Sequence, residues 1–441
     1  MNKIAALLFL FFVGFTITAQ SKKWTLKECV QHALENNISI KQSALDMELA
    51  DIDKRDANGN FLPTLNANAS TSKNTGLSFN PVTGNAETTT LFSVSGGINA
   101  RYTIFNGLNN FRQVQRAEIS KLASQYRMSK MEDDITLFVA NGYLQILLNK
   151  ENLKVIAAQN KVTLEQIERT NQLVDAGVLP RGDLLEIKAS NASELQQIAI
   201  AENALIISKI GLAQLLLIQD YANFDIADEE FTIIDEGISS KNVSEIISEA
   251  KENRSEVKIA EKNVELAEKE VQLARGAYYP TLSAFFGYDT RYADADPLDF
   301  IDQLYLNDGI NYGLSLNVPI LNGLSVRNNV QRSKVGLLRN QYQLEQAKLD
   351  LESNVYQAYV DVKGSYKSYE AAQAALESQE LAYQYAKDRY DVGLTNAFDF
   401  SQSKLRYDNT QIEVNRAKYD YIFKLKVLEL YFGVPATELK F

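Results

Sequence analysis

The chain is poor in the residues from which reactive or stapled sites are made. It has one cysteine, Cys29, and one histidine, His32, among 441 residues. A single cysteine cannot close an internal disulfide, and Cys29 is expected to be a small buried apolar residue on the first mature helix. One histidine excludes His-rich metal sites and leaves little for His-based catalysis; His32 is expected to face solvent on a helix. No nucleophile–base set, phosphate loop or metal cluster stands out, so neither an enzyme nor a cofactor is expected. Basic charge is also short. Lys+Arg number 45 against 56 Asp+Glu, a net charge of −11, which is the wrong sign for a nucleic-acid surface. The 7 prolines fall between long proline-free stretches and act as punctuation. Outside the first residues there is no run of 18 apolar residues, so any membrane crossing must be made by strands.

The N-terminus reads as an export signal. Lys3 supplies the charged start, Ile4 to Val13 the apolar core, and Thr18 and Ala19 the small residues before Gln20. Residues 1–19 are the expected signal peptide, too short to span a bilayer. Cys29 lies beyond that cleavage point and not at the new N-terminus, so a non-lipidated protein is expected.

The informative feature is self-similarity. Phe105-Asn106-Gly107-Leu108 recurs as Leu321-Asn322-Gly323-Leu324, Ala176-Gly177-Val178 as Val392-Gly393-Leu394, and Asp183 as Asp399, each 216 positions apart. Leu62-Pro63-Thr64-Leu65 returns as Tyr279-Pro280-Thr281-Leu282, 217 positions on. Two structural repeats follow, 20–218 and 243–433, with a connector at 219–242 and a tail at 434–441. Each repeat begins with a proline-free helix (Leu26 to Asn58, Val243 to Ala277) rich in Ala, Glu, Lys and Leu. Pro63 or Pro280 then ends helical geometry. A strand pair comes next, about 61–105 and 280–321. Gly107 and Gly323, the latter preceded by Pro319, mark the return to helix. The long helical stretches Leu108 to Asp175 and Leu324 to Asp391 break at tips 176–183 and 392–399. Return helices end near Leu217 and Phe432. A helix of ~68 residues is about 100 Å long. Val139, Tyr143, Ile146, Leu147 and Leu153 recur at three and four residues, so one stripe is packed and the rest faces water.

The strands alternate. Val94, Ile98, Ala100, Tyr102 and Ile104 oppose Ser93, Ser95, Asn99, Arg101 and Thr103. In the second copy Ile310, Tyr312, Leu314, Leu316, Val318 and Ile320 oppose Asn311, Ser315 and Asn317. Leu65 to Ser72 and Leu282 to Tyr292 are their weaker partners. Period two with one apolar and one polar face is the pattern of an outer-membrane barrel, and also of a soluble sandwich; the context of export signal, matched hairpins and long helices favours the barrel. The rival is a periplasmic helical rod without a pore. Lys73 to Thr90 and Ala293 to Asp308 are expected to be polar, solvated loops. The aspartates of the second lack calcium-loop spacing. Four strands per chain cannot close a barrel, so several copies must assemble: two would give eight strands, three would give twelve.

With Pro63 to Leu65, Pro280 to Leu282, Pro319-Ile320-Leu321-Asn322-Gly323 and the tip Tyr390-Asp391-Val392-Gly393-Leu394 leading to Asp399, the chain resembles the TolC family of outer-membrane efflux proteins over essentially its whole mature length. The first copy departs in carrying Thr103 where the second has Pro319. The resemblance implies a mainly α protein with a membrane β-barrel: a homotrimer with a twelve-stranded barrel in outer-membrane lipid and a long α-helical coiled-coil barrel in the periplasm. It implies a periplasmic adaptor and an inner-membrane pump or secretion ATPase as partners. It also implies a gate at the periplasmic tip, closed by inward coiling, with acidic rings after the turn. Asp399 matches the first acid; the second position holds Gln402. In the first copy Asp183 and Glu186 share one helical face. Capping of the return helices by Asp183 and Asp399 is the plainer alternative. Gly177, Val178, Leu179, Gly393 and Leu394, small or apolar at the turns, are the candidates for adaptor contact.

Overall fold

The computed structural model describes residues 22–79, 84–229, 233, 237–294 and 296–435. The expected signal, 1–19, lies outside the described residues, as does the tail beyond 435. The chain divides into two compact units. One holds 128–254 and 349 onward together with the first helix. The other holds 44–127 and 255–348.

The strand unit contains one antiparallel sheet in the order β2-β3-β5-β6, with β2 Thr64–Phe79, β3 Ala86–Asn106, β5 Thr281–Ala293 and β6 Gly309–Asn317. Pro63 and Pro280 stand immediately before β2 and β5, as the sequence predicts. The registers put Leu65, Ala67 and Ala69 beside Ala100, Ile98 and Gly96. Ala100 and Ile98 lie beside Phe286 and Tyr288, and these beside Tyr312 and Ile310. The opposite face carries Asn66, Asn99, Gly287 and Asn311 in one row. Side chains alternate across a pleated strand, so the sheet has one continuous apolar face and one polar face. Ile310, Tyr312, Leu314 and Leu316 are all strongly exposed. A soluble sandwich would have buried them. A rod without a sheet is excluded.

Three strand limits differ from expectation. The first hairpin runs on through residues expected to be loop, to Phe79 and back from Ala86. Cross-strand hydroxyl pairs hold the extension, Ser72 with Ser93 at 2.9 Å and Thr75 with Thr90 at 3.0 Å; β-branched threonines favour strand without needing apolar alternation. The second hairpin stops at Asn317, leaving Val318 and Ile320 outside it. Pro319 has no N–H to give to the ladder. At the matching position β3 carries Thr103 and continues to Asn106, so one substitution between repeats sets the difference. A bulge between Thr103 and Phe105 then shifts the register, and Phe105, not Ile104, lies opposite Leu282.

The helices are α1 Leu26–Asn36, α2 Ile38–Gly59, α3 Asn109–Asp175, α4 Arg181–Leu215, α5 Val243–Asn253, α6 Ser255–Gly276, α7 Phe300–Leu306, α8 Ser325–Asp391 and α9 Ala397–Phe432. The long α3 and α8 have 67 residues each, within one residue of the predicted limits. The first helix of each repeat, expected to be continuous, is broken once. Asn37 leaves helical geometry (φ −57°, ψ 135°). Its Oδ1 accepts from Ser39 N and its Nδ2 donates to the Leu215 carbonyl. Arg254 makes the equivalent break (φ −70°, ψ 133°), with its guanidinium on Asp133 at 3.1 Å. Neither break carries proline or glycine, so periodicity could not reveal it.

In the helical unit Cys29, Val139, Tyr143, Ile146, Leu212, Leu216, Ile226 and Ile422 form a packed core. Cys29 is fully buried, as expected, and burial pushes its thiol up to about 12. His32 is half-buried, not solvent-facing, with its ring edge-on to Trp24 at 5.1 Å. The connector adds a two-residue strand β4 Asp225–Ile226, parallel to β1 Lys23–Trp24. The Tyr143 hydroxyl donates to the Ala227 carbonyl there at 3.0 Å.

Candidate functional site

The two tips are the same device built twice. At the end of α3, Gly177 takes φ +73°; its N–H donates to Val174 O at 3.0 Å and Val178 N–H to Leu173 O at 2.8 Å. At the end of α8, Gly393 takes φ +75°; its N–H donates to Tyr390 O at 3.0 Å and Leu394 N–H to Arg389 O at 2.8 Å. This bond pair is the Schellman stop, which needs a left-handed residue and therefore selects glycine.

The return helices begin at Arg181 and Ala397, and their caps are not the predicted ones. Pro180 holds the first cap position without a side-chain bond. Asn396 holds the second, its side chain accepting from Asp399 N at 2.8 Å. Asp183 and Asp399 are instead the third residues of their helices, where a carboxylate complements the exposed N–H groups and the helix dipole. Asp399 also accepts from the Thr395 hydroxyl at 3.4 Å. Asp399, Gln402 and Glu186 are exposed and Asp183 is half-buried. Val178 and Leu394 are exposed, as an external contact requires. Leu179 is not: it packs against the apolar cluster beneath the tips.

That cluster joins all four helices. Ile187, Tyr390, Ala397 and Phe400 are buried, with Ile167, Leu179 and Tyr383 against them. The Tyr390 and Phe400 rings stack at 5.0 Å. Thr170 and Tyr390 share a buried hydrogen bond of 2.9 Å, and Arg169 pairs with Asp391 at 3.0 Å. Burial raises the Tyr390 phenol above its ordinary value, and the nearby Asp183 adds to the rise. The sequence carried Tyr390 and Asp391 only as motif letters and offered no signal for Thr170 or Arg169, whose partners lie 220 and 222 positions away.

Further along the same helices sits a second feature that sequence reasoning missed. Lys404 of α9 is 4% exposed and bridges Glu194 of α4 at 2.8 Å and Asp408 at 2.9 Å. Asn160 and Thr163 of α3 donate to the Glu194 carboxylate at 3.0 and 2.8 Å. Two acids share one base here. Burial, opposed by Lys404 and aided by Glu194, pushes the Asp408 carboxyl up to about 6. Among the described residues no group of three or more His, Cys, Asp or Glu could hold a metal ion.

A comparison with known families decides what this frame belongs to. The model of the outer membrane efflux protein family matches residues 29–216 and 246–434, one stretch in each half of the chain. The chain belongs to the outer membrane efflux protein family. The TolC outer-membrane proteins of Escherichia coli K12 and Vibrio cholerae are similar to it. They are 23% identical over 93% of this chain and 82% of theirs, and 22% identical over 76% and 75%. The solved outer-membrane channel CmeC of Campylobacter jejuni superposes with TM-score 0.80 at 19% identity, over 92% of this chain and 85% of its own. An efflux protein of this family is an outer-membrane channel with its helical part in the periplasm. The family is one of channels and not of enzymes.

Proposed function

We propose that three copies of this efflux protein close one twelve-stranded barrel and continue as a helical export duct, gated at its tips. A periplasmic adaptor docks there, and an inner-membrane pump or secretion ATPase supplies the energy. The observation that carries this reading is the sheet with two open edges. Among the described residues strands β2 and β6 each have one neighbour, and hydrocarbon offers nothing to bond the free N–H and C=O groups. Copies must pair β6 to β2, and three is the number that resemblance to the family favours. The exposed apolar residues of α4, Leu195, Ile200, Ile206 and Ile207, support close packing between copies. By composition and length that helix could cross a membrane; burial against neighbouring subunits is the reading that fits its place in the helical unit.

The gate reading puts Asp399 and its repeat mate Asp183, with Glu186 and Gln402 beside them, around the tip opening. Three Asp399 carboxylates converging on one axis would repel each other and attract cations. Asp399→Ala is expected to raise single-channel conductance in planar bilayers and to weaken block by divalent cations by roughly tenfold, the loss of about 1.4 kcal/mol of binding. Conductance and block identical to wild type would remove Asp399 from the gate.

Gly177 and Gly393 form the turns, and Val178 and Leu394 are offered to the adaptor. Leu179 is half-buried and is expected to act through packing. A photo- or thiol crosslinker at Leu394 should capture the adaptor in cells, whereas one at Leu179 should capture it weakly. Capture from mid-tunnel positions but not from Leu394 would place the docking surface elsewhere.

A further inference from the structure

The segment joining β5 to β6 is not the solvated loop its aspartates suggest. It folds into the short helix α7, and a seven-residue helix has too few internal bonds to stand alone. The chain holds it in place. Gln303 is 0% exposed. Its Oε1 accepts from Ala293 N at 2.9 Å, and its Nε2 donates to the Leu298 and Asp296 carbonyls at 2.7 and 3.3 Å. The Thr290 hydroxyl donates to the Leu304 carbonyl at 2.6 Å, and Asn307 Nδ2 to the Arg291 carbonyl at 3.2 Å. The Tyr292 and Phe300 rings meet at 5.0 Å.

Two of these supports fix the side on which α7 sits. Thr290 and Tyr292 continue the row Leu282, Ala284, Phe286, Tyr288, the apolar row of β5. The helix is therefore fastened to the apolar face of the sheet and not to the polar face, and where the apolar face is the lipid face, as the proposed barrel requires, α7 sits on the lipid side. From Leu282 to Tyr292 the row runs ~33 Å at about 3.3 Å per residue, which a strand tilt of about 35–45° reduces to roughly 23–27 Å of height, matching the ~25 Å apolar band of outer-membrane barrels. Thr290 and Tyr292, its last two members, stand at the band's edge.

The outward side chains of α7 are apolar. Ile301 is 59% exposed, Tyr305 79% and Leu306 69%, and they lead into Ile310, the first of the lipid-facing row of β6. Between Arg291 and Arg327 there is no lysine or arginine, while Asp294, Asp296, Asp299, Asp302 and Asp308 surround the helix. Charge cannot attract such a segment to anionic headgroups, so its affinity must be hydrophobic. Aromatic and aliphatic side chains at a membrane boundary have that character.

We infer that α7 is an interfacial anchor. Ile301, Tyr305 and Leu306 enter the outer leaflet at the boundary of acyl chains and headgroups, and they fix the depth of the β5–β6 hairpin in the membrane. The partner is the lipid surface, reached by continuation of the barrel's own lipid face.

The test uses full-length protein in phosphatidylcholine bilayers whose acyl chains are brominated at mid-chain. Trp24→Phe removes the single native tryptophan, and tryptophan is then placed at one site at a time. Tyr305→Trp should lose roughly half its emission in brominated relative to ordinary lipid, as an interfacial ring would. Tyr312→Trp, on the lipid face, should lose more, and Asn311→Trp, on the polar face, almost none. Tyr305→Trp behaving like Asn311→Trp overturns the anchor. So does a disulfide between neighbouring copies formed by Tyr305→Cys, which would show that a second subunit covers the helix. Loss of quenching at Tyr312→Trp as well would instead remove the lipid face itself, and the barrel with it.

Discussion

Lys404→Met should destabilise the helical unit by roughly 3–5 kcal/mol, the usual cost of removing one partner from a buried ion pair. The cost is electrostatic. Among the described residues Lys404 is the only cation bridging Glu194 and Asp408, and all three residues are at most 9% exposed. Methionine fills much the same volume but leaves two buried carboxylates facing each other. The hydrogen bonds that Asn160 and Thr163 give to Glu194 satisfy one acid and not the other; among the described residues Asp408 Oδ1 has no hydrogen-bond partner.

The pH dependence distinguishes charge from packing. The Asp408 carboxyl titrates at about 6 in the folded chain against an ordinary 3.8. Its folded value is raised, so protonation favours the fold. The stabilisation from bound proton is complete below about 3.8 and is lost as pH rises through about 6. The Lys404→Met penalty should therefore be largest near pH 8 and shrink toward pH 5, read as the apparent thermal midpoint by circular dichroism in detergent. The phenols of Tyr383 and Tyr407 also face this cluster, but burial raises both away from this window. Asp228, held near 2 by Lys150 and Lys23, weakens the fold only at far lower pH. A penalty equal at pH 5 and pH 8 would show that lost packing, not stranded charge, sets the cost.

The second large effect is expected at the junction from strand to long helix. Gly107 and Gly323 occupy the same place in the two repeats and share a left-handed backbone, φ +68° and +58°. Each is followed by a left-handed leucine, Leu108 at φ +65° and Leu324 at +64°. Their surroundings differ. A Cβ on Gly107 would overlap the Gly276 carbonyl oxygen and touch Tyr279 Cβ at 3.0 Å, whereas one on Gly323 would meet nothing within 4 Å. Gly323→Ala should cost about 1–2 kcal/mol, the left-handed penalty of an L-residue. Gly107→Ala adds a backbone collision and should exceed about 4 kcal/mol, in the range reserved for severe defects. The measurement is the temperature at which the assembled species dissociates on gels, with the yield of membrane-inserted protein. Equal losses for the two variants would mean that backbone strain alone governs the junction.

The difference between those glycines also shows how far the sequence could be read. The pairing of Gly107 with Gly323 was legible, because both copies put glycine after asparagine at the end of an alternating segment. The collision with Gly276 was not, because it arises from a helix more than 160 positions away. The breaks at Asn37 and Arg254 were invisible for a related reason. A helix interrupted by one residue keeps its periodicity on both sides, and what holds the break is a distant partner, the Leu215 carbonyl or Asp133. At the tips the glycines and the acids after them were legible, while the caps were not: Asp183 and Asp399 were the cap candidates, and Pro180 and Asn396 hold those positions.

By itself the sequence determined the duplication, the order of elements, the lengths of the two long helices and the two-faced character of the strands. Each of these rests on periodicity or on residues with restricted backbones, and both act within a few positions. The tertiary structure alone decided which charges are buried together, which end of the sheet carries a helix on its apolar side, and which of two like glycines tolerates a methyl group. Those depend on close approach between different elements, from ten to more than two hundred positions apart, where a few tenths of an ångström set the energy and no local pattern records it.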